Sequence, residues 1–497
     1  MYTSLFIDPL GLLAQLVISL AAYIFLAPIL LLLFLVNEVI RLVITLYLEN
    51  KYNGKIKLVS DGASATWALK RKDRSRMVVV VMKMDRTVPL EKISKSIEES
   101  VFQARNEKGE LTYSVLKNIL VSKFGYACWK QDENFKVKNQ IRSLSPRKVY
   151  TKKEILQEIA LLSRDMDEDK PQWEIISVPK FKDTMESETS LILFRFQHAF
   201  MDGFSLLMII KNYLSSGFDY YVHPQEFSIP FWKKVLFYTN AIIFGPYLFL
   251  KINVRKFLSF WPELREVGPL QKSYTWTKSM DLGAIRKLRK SLHSATIPTI
   301  LENAFITAAK EVLPPERVPD EWVVGELAAL LPYPTTAPQN RFTIFMYGVN
   351  SLQPDFERIK TAKEESWKAI TGPWIPLLLG MFKGFGRFPM LMHHLLYMGG
   401  CCSMILSNVP LSKTKFKFLD FAEVLEAIGF TPLPNDVGIS LCSTAYENTL
   451  KISANADSTW LKGDELEEII ERIPKVLNGW AQRLELDGSI NYVHNNN

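Results

Sequence analysis

The chain has 497 residues, 48% of them hydrophobic and 23% charged, which excludes a disordered or low-complexity protein because apolar surface is ample to offset chain entropy. Lys and Arg number 60 against 52 Asp and Glu; an excess that small does not argue for nucleic acid and fits an anionic membrane surface equally well. Cys128, Cys401, Cys402 and Cys442 are too few and too irregularly spaced for a disulfide scaffold or a zinc site, and CxxC, HExxH, GxGxxG and GxxxxGK[ST] strings are absent. Neither a metal site nor a bound cofactor is expected.

From Pro9 to Asn37 no residue is charged. About 20 apolar residues cross the hydrocarbon layer, so the run predicts a membrane anchor over residues 1–50 with a transmembrane helix at about 10–36. A cleaved leader would want a basic start and a shorter apolar core, whereas only Asp8 precedes this run. Pro28 falls near the middle, where it would kink the segment or split it into spanning and interfacial halves. Arg41, Lys51, Lys55 and Lys57 follow, and positive flanks stay inside, which predicts a single pass with the body cytosolic and the amino-terminus outside or lumenal. The run KRKDRSR, Lys70 to Arg76, reads as a solvated face or a contact to anionic headgroups.

Beyond residue 55 short apolar runs alternate with amphipathic stretches, as in a mixed α/β chain. Met77 to Met84 reads as a buried strand and Pro89 to Arg105 as a helix. Leu191 to Phe196 reads as a second strand, with a helix over Ser205 to Leu214. Residues 226–272 form a proline-punctuated crossover whose 16-residue apolar run, Val235 to Leu250, suits a membrane-lying or packed segment better than a second span. Strand-and-helix order resumes at Ser273. Trp374 to Met398 reads as broken helices with lipid-facing Leu, Met and Phe. Strands around Met404, Val437 and Thr449 and a helix near Gly463 to Leu484 close the fold, before a polar tail over 488–497.

Six histidines invite chemistry. His223, His293 and His494 lie in polar contexts, and adjacent His393 and His394 point in different directions, which disfavours a shared metal. His198 stands apart in Gln197-His-Ala-Phe-Met-Asp202-Gly203, between a buried strand and a helix. A strand end there presents an imidazole to an open passage, where it can take a proton from an incoming hydroxyl. Asp202 is placed to hold the loop, and Gly203 to turn it without a side chain in the way.

HAFMDG resembles the HxxxDG motif of CoA-dependent acyltransferases with a chloramphenicol acetyltransferase-like fold. Pro171-Gln-Trp-Glu174 is similar to the PLWE string of the wax ester synthase/diacylglycerol acyltransferase family, and Phe135 to Arg142 is similar to its FDLxxHVR stretch. Tyr274-Thr-Trp-Thr, the Leu282 to Leu292 helix and Ala295-Thr-Ile resemble the start of that family's second half. Ser407-Asn-Val-Pro410 resembles its SNVPGP loop, and Asn435-Asp-Val-Gly438 with Tyr446 to Asp457 its closing strands. These cover roughly residues 70 to 480 in the family's order. Two departures stand out: the usual histidine pair is Gln197-His198 here, and TVND is Thr296-Ile-Pro-Thr299, which loses both Asn and Asp.

The resemblance implies an α/β sandwich of two similar halves, over 55–225 and 273–487, around a central substrate channel. It implies acyl transfer from a fatty acyl-CoA to a hydroxyl acceptor, diacylglycerol or a long-chain alcohol, with His198 as base, Asp202 orienting and Gly203 turning the loop. Gln197, Trp173, Asn408 and the strand residues Ser440 and Ser443 are candidate substrate-binding groups, the serines as oxyanion donors. Trp173 is read equally as core packing. The partners expected are acyl-CoA, the acceptor and a lipid membrane, with the endoplasmic reticulum, lipid droplets or plasma membrane as sites. The competing reading is a catalytically silent lipid-binding or scaffold protein on the same fold; an amide-forming condensation domain is a third, for which no carrier segment is apparent.

Overall fold

The computed structural model describes residues 9–68, 76–183, 187–221, 230–258, 272–333, 336–392, 402–433, 437–486 and 490. Lys70 to Ser75, His223, His393, His394, His494, Cys401, Asn435, Asp436 and the tail after 487 apart from Ile490 lie outside them. The amino-terminal apolar run divides into α1 (Pro9–Phe25) and α2 (Ala27–Tyr52), with the break at Leu26. Pro28 sits in the first turn of α2, where its missing N–H costs least. Among the described residues α2 is the helix long and apolar enough to cross a membrane. It extends well past residue 36, and Asn37, Arg41, Ile44 and Leu48 bury one stripe of its second half against the body.

The first half continues through β1 (Ile56–Leu58), α3 (Gly62–Trp67), β2 (Met77–Met84), α4 (Leu90–Ser96), β3 (Asn118–Lys123) and β4 (Tyr126–Gln131). It then adds β5 (Ile141–Ser143), α5 (Lys152–Leu162), β6 (Trp173–Phe181), β7 (Thr189–Gln197), α6 (Gly203–Ile209) and β8 (Ser215–Ser216). Helix α7 (Phe231–Leu258) occupies the crossover. The second half holds β9 (Lys272–Trp276), β10 (Met280–Asp281), α8 (Leu282–Ser291), α9 (Ile297–Val312), β11 (Glu321–Ala329) and β12 (Phe342–Asn350). It ends with α10 (Asp355–Thr371), α11 (Trp374–Phe385), β13 (Met404–Ser412), β14 (Lys417–Phe418), β15 (Ala422–Phe430), β16 (Ile439–Tyr446), β17 (Thr449–Asp457) and α12 (Gly463–Arg483).

Two larger sheets result, in the orders β5-β6-β7-β2-β15-β14-β8 and β10-β17-β16-β13-β11-β12, with β9 added on β17. All nine residues of β7 are buried, as befits a central strand covered on both faces, and the apolar run LILFRF reads accordingly. Late strand β15 enters the first sheet, pairing Ala427 with Met82 and Phe430 with Val79. The exchange also pairs charge between the two sheets. Half-buried Glu426 of β15 accepts from Lys451 of β17 at 2.5 Å and from Ser279 at 3.0 Å. Neither half is therefore a closed unit by itself.

Helix α3 positions the site described below. Asp61 caps it, accepting from the N–H groups of Ala63 and Ser64. Its first turn meets the end of α11 backbone to backbone. A Cβ on Gly62 would fall 2.0 Å from the Lys383 carbonyl oxygen, and one on Gly386 would fall 1.7 Å from the Gly62 carbonyl oxygen. Gly386→Ala should therefore lower the thermal unfolding midpoint by the equivalent of about 1–3 kcal/mol, as overpacking does. Gly380→Ala, where a Cβ meets nothing within 4 Å, is the control expected to leave the midpoint unchanged or slightly raised.

Candidate active site

His198 follows the last residue of β7, and its N–H donates to the Arg76 carbonyl at 3.0 Å. The Phe200 N–H donates back to the Gln197 carbonyl at 3.0 Å, closing a tight turn. Asp202 then caps α6, its Oδ1 accepting from the Ser205 N–H at 2.9 Å. Its Oδ2 accepts from the Tyr333 hydroxyl at 2.6 Å and the Arg341 N–H at 2.8 Å. Burial beside this carboxylate pushes the Tyr333 phenol up, so it stays a donor. The Asp202 N–H donates to the Gln339 carbonyl at 3.1 Å, and Ser205 Oγ donates to the same oxygen at 3.0 Å. Tyr333, Gln339 and Arg341 of the second half are thus laced to the histidine loop of the first.

Asn340 completes the join. Its Nδ2 donates to the His198 carbonyl at 2.8 Å and to Ser64 Oγ at 3.1 Å, which orients the amide. Its Oδ1 then lies 2.8 Å from His198 Nδ1. An amide oxygen only accepts, so Nδ1 carries the proton and Nε2 keeps its lone pair. Burial pushes the imidazole below its ordinary value, against the opposing pull of the Asp202 carboxylate and the Asn340 hydrogen bond. The lowered value favours the neutral ring, with Nε2 unprotonated.

The expected open passage is covered. His198 is only 7% exposed, because Trp67, at the end of α3, stacks on it with ring centroids 4.2 Å apart and planes 10° from parallel. Phe342 adds a second aromatic contact at 5.2 Å. A cleft beside this roof is lined by Ala68, Arg76, Leu120, Gln172, Gln197 and Met390 among others.

The other candidates distribute as follows. Gln197 braces the roof: its Nε2 donates to the Trp67 carbonyl at 2.8 Å and its Oε1 accepts from the Ala199 N–H. Gly203 is the first residue of α6 and a Cβ there would meet nothing within 4 Å; its φ is not left-handed, so the missing side chain leaves room and does not make the turn. Trp173 packs with Phe102 and Phe135 in the core of the first half and donates from Nε1 to the Leu116 carbonyl at 2.6 Å. Ser443 Oγ donates to Asn408 Oδ1 at 2.8 Å across β13 and β16, and Ser440 Oγ bonds Thr431 Oγ1. These bonds tie the late strands to one another and not to His198. Thr296 caps α9, bonding the Thr299 N–H and hydroxyl, which gives the altered TVND position a helix-starting role. Asn340, Ser64, Trp67 and Tyr333 were not singled out from sequence. The turn string Pro338-Gln-Asn-Arg341 before an apolar strand was visible, but nothing local tied it to a histidine 142 residues earlier.

No family model matches the chain, and no curated protein matches it. Solved structures do. A wax ester synthase/diacylglycerol acyltransferase from Marinobacter aquaeolei VT8 superposes with a TM-score of 0.56 at 13% identity, covering 86% of this chain and 100% of its own. A trichothecene 15-O-acetyltransferase from Fusarium sporotrichioides gives 0.57 at 10% identity, with 86% and 95% covered. The first condensation domain of the calcium-dependent antibiotic synthetase gives 0.51 at 10% identity, with 88% and 98% covered. The fold is chloramphenicol acetyltransferase-like. At these identities the likeness extends to the fold alone.

Two measurements test the geometry. In an NMR titration the His198 imidazole should have its midpoint below the ordinary value of about 6.5. Trp67→Ala, which relieves burial, should raise it, and Asp202→Asn, which removes a charge favouring the imidazolium, should lower it further. Tyr333→Phe strips a buried carboxylate of one donor and should destabilise the fold by about 1–3 kcal/mol in denaturant unfolding.

Proposed function

We propose that this chain is an O-acyltransferase moving a fatty acyl group from acyl-CoA to the hydroxyl of a lipid acceptor. One observation carries the reading: Asn340 holds Nδ1 of a buried, neutral His198 and leaves Nε2 unprotonated. That is the form a general base needs. Nε2 takes the acceptor's proton as its oxygen bonds to the thioester carbon. The tetrahedral oxyanion collapses with cleavage of the carbon–sulfur bond, and Nε2 returns the proton to the departing thiolate, giving free CoA and an ester. No acyl-enzyme forms. Asp202 acts at a distance, joining the histidine loop to Tyr333, Gln339 and Arg341. Gln197 is a positioning group behind the roof.

The activities of the similar wax ester synthase/diacylglycerol acyltransferase and trichothecene 15-O-acetyltransferase support acyl transfer as the class. Diacylglycerol and a long-chain alcohol fit the acceptor role equally, and the exposed apolar helices α1 and α2 would keep the site beside lipid. Trp173, Ser440, Ser443 and Asn408 have structural partners that account for them, so the oxyanion donor is not assigned to the serines.

The covered ring favours one second reading, a lipid-binding or scaffold protein without catalysis. The two separate in a single assay, with purified chain, long-chain acyl-CoA and either diacylglycerol or hexadecanol, and products read by mass spectrometry. Under the first reading wild type forms ester and His198→Ala lowers kcat at least about 10²-fold while remaining folded. The acid limb of kcat/KM should lie below pH of about 6.5, since the neutral ring is the active form and its titration is shifted down. Absence of ester from every acceptor, with the chain folded, favours the scaffold.

A further inference from the structure

We infer that α1 and α2, one helix kinked at Leu26, lie along a single phospholipid leaflet with α7 beside them, so that the chain docks on lipid without crossing it. This docking surface does not depend on acyl transfer. It replaces the single crossing expected from charge and length.

The two helices are continuous. Leu26 is itself right-handed helical; its N–H donates to the Ala22 carbonyl at 2.8 Å, and its own carbonyl accepts from the Leu30 N–H at 3.0 Å. One inner stripe therefore runs on through the kink. Gln15, Ser19 and Ala22 are buried before it, Leu30 and Phe34 are half-buried beyond it, and Asn37 and Arg41 are buried next. The steps of three and four residues are those of a helix face.

The body meets this stripe at both ends and in the middle. Ser19 Oγ accepts from the Tyr247 N–H of α7 at 3.3 Å, and the Tyr23 hydroxyl donates to the Ile242 carbonyl. The Phe34 ring meets Phe388 edge-on at 6.1 Å. Arg41 then donates to the Arg387 and Val59 carbonyls at 3.0 and 3.1 Å, and the Tyr126 hydroxyl donates to Asn37 Oδ1 at 2.7 Å. α7 is itself rooted: Leu248 is fully buried, and a Cβ on Gly245 would lie 3.3 Å from Leu377 of α11. A helix backed by the body over this length cannot enter a bilayer end-on unless α7 and α11 enter with it, and α11 abuts α3 under the candidate site.

The outer face is made for lipid along its whole length. Of the exposed residues from Leu13 to Tyr47 none is charged, and Leu13, Leu20, Phe25, Leu35 and Val43 are each more than half exposed. That face is about 35 residues and so roughly 50 Å long, against about 30 Å of hydrocarbon, so a crossing would leave its remainder in water. α7 widens it with exposed Phe231, Trp232, Leu236 and Ile242. Tyr23, Tyr47, Trp232 and Tyr238 are amphipathic rings suited to the headgroup level, and exposed Lys51, Lys233 and Lys234 outweigh Glu49 at its margins, which fits anionic headgroups. At its far end Tyr47 meets exposed Phe124, at the tip between β3 and β4, edge-on at 5.5 Å. Leu120, Val121 and Ala127 of the same two strands line the cleft beside the Trp67 roof, so the face ends next to that cleft.

An in-plane helix sinks to a shallow depth, about 5–10 Å, all along its length. The test uses the full-length chain with an amino-terminal epitope tag, in sealed microsomes and on vesicles of phosphatidylcholine with phosphatidylserine. Leu13→Cys, Phe25→Cys, Leu35→Cys and Leu46→Cys each carry an environment-sensitive fluorophore, corrected for label taken by the unsubstituted chain. All four should be quenched by bromines near the headgroups and little by bromines at the acyl-chain ends, and protease should remove the tag from microsomes without detergent. Leu20→Asp with Leu35→Asp and Val43→Asp, all exposed, should weaken vesicle binding about tenfold or more while the unfolding midpoint is unchanged. A label quenched chiefly from the bilayer centre, a tag protected until detergent is added, or one lost to leader cleavage overturns the in-plane arrangement. A chain that fails to float with vesicles, or pairs with itself through this face instead, overturns the lipid contact, as does a triple variant that binds like wild type. None of these readouts measures ester formation, so acyl transfer stands or falls separately.

Discussion

The amide of Asn340 is the interaction on which the site depends. It belongs to the second half of the chain, yet it grips the His198 ring, the His198 carbonyl and Ser64 of α3 at once. A ring held at Nδ1 by an acceptor has one tautomer available, and burial then keeps it uncharged. Asp202 makes the same join at the next level, because its carboxylate spends its lone pairs on α6, Tyr333 and Arg341. Both contacts exist only if the two halves dock correctly. The exchange of β15 into the first sheet, with Glu426 and Lys451 tied across the seam, makes that docking a condition of folding.

The lipid-facing helices and the candidate site are parts of one packed unit. Arg387 accepts from α2, follows directly on α11, and stands next to the glycine that abuts α3. α3 in turn delivers Trp67 to the face of His198. Close backbone contact at Gly62 and Gly386 leaves little slack in this path, because packed interiors deform poorly. The placement of the aromatic roof is therefore set by the same helices that present apolar surface to solvent in the isolated chain.

Much was legible locally. β2 and β7 announce themselves as continuous apolar runs, and the His-to-Gly string marks the strand-to-helix turn by composition alone. Where reading went further than local pattern, it met competition from tertiary contacts. The charge-free stretch up to Asn37 marks an apolar helix over about 10–36 with a kink or split near Pro28; the structure breaks it at Leu26 and carries it on to Tyr52, because the stripe Asn37, Arg41, Ile44, Leu48 packs onto the body. Gly203 looked like the residue that bends the loop, whereas the bend is made by the cap at Asp202. Ser440, Ser443 and Asn408 looked available, yet neighbouring strands use their polar atoms.

The order of apolar runs and turn residues by itself determined an α/β chain with an apolar amino-terminal region and a histidine at a strand end, because periodicity and turn chemistry act over a few residues. It did not determine what touches that histidine. Asn340 lies 142 residues away in the chain, and Trp67 arrives on a short helix whose own sequence shows only a capping Asp61. Such partners are chosen when sheets pair and halves dock. Only the tertiary structure therefore decided the ring's tautomer and its cover.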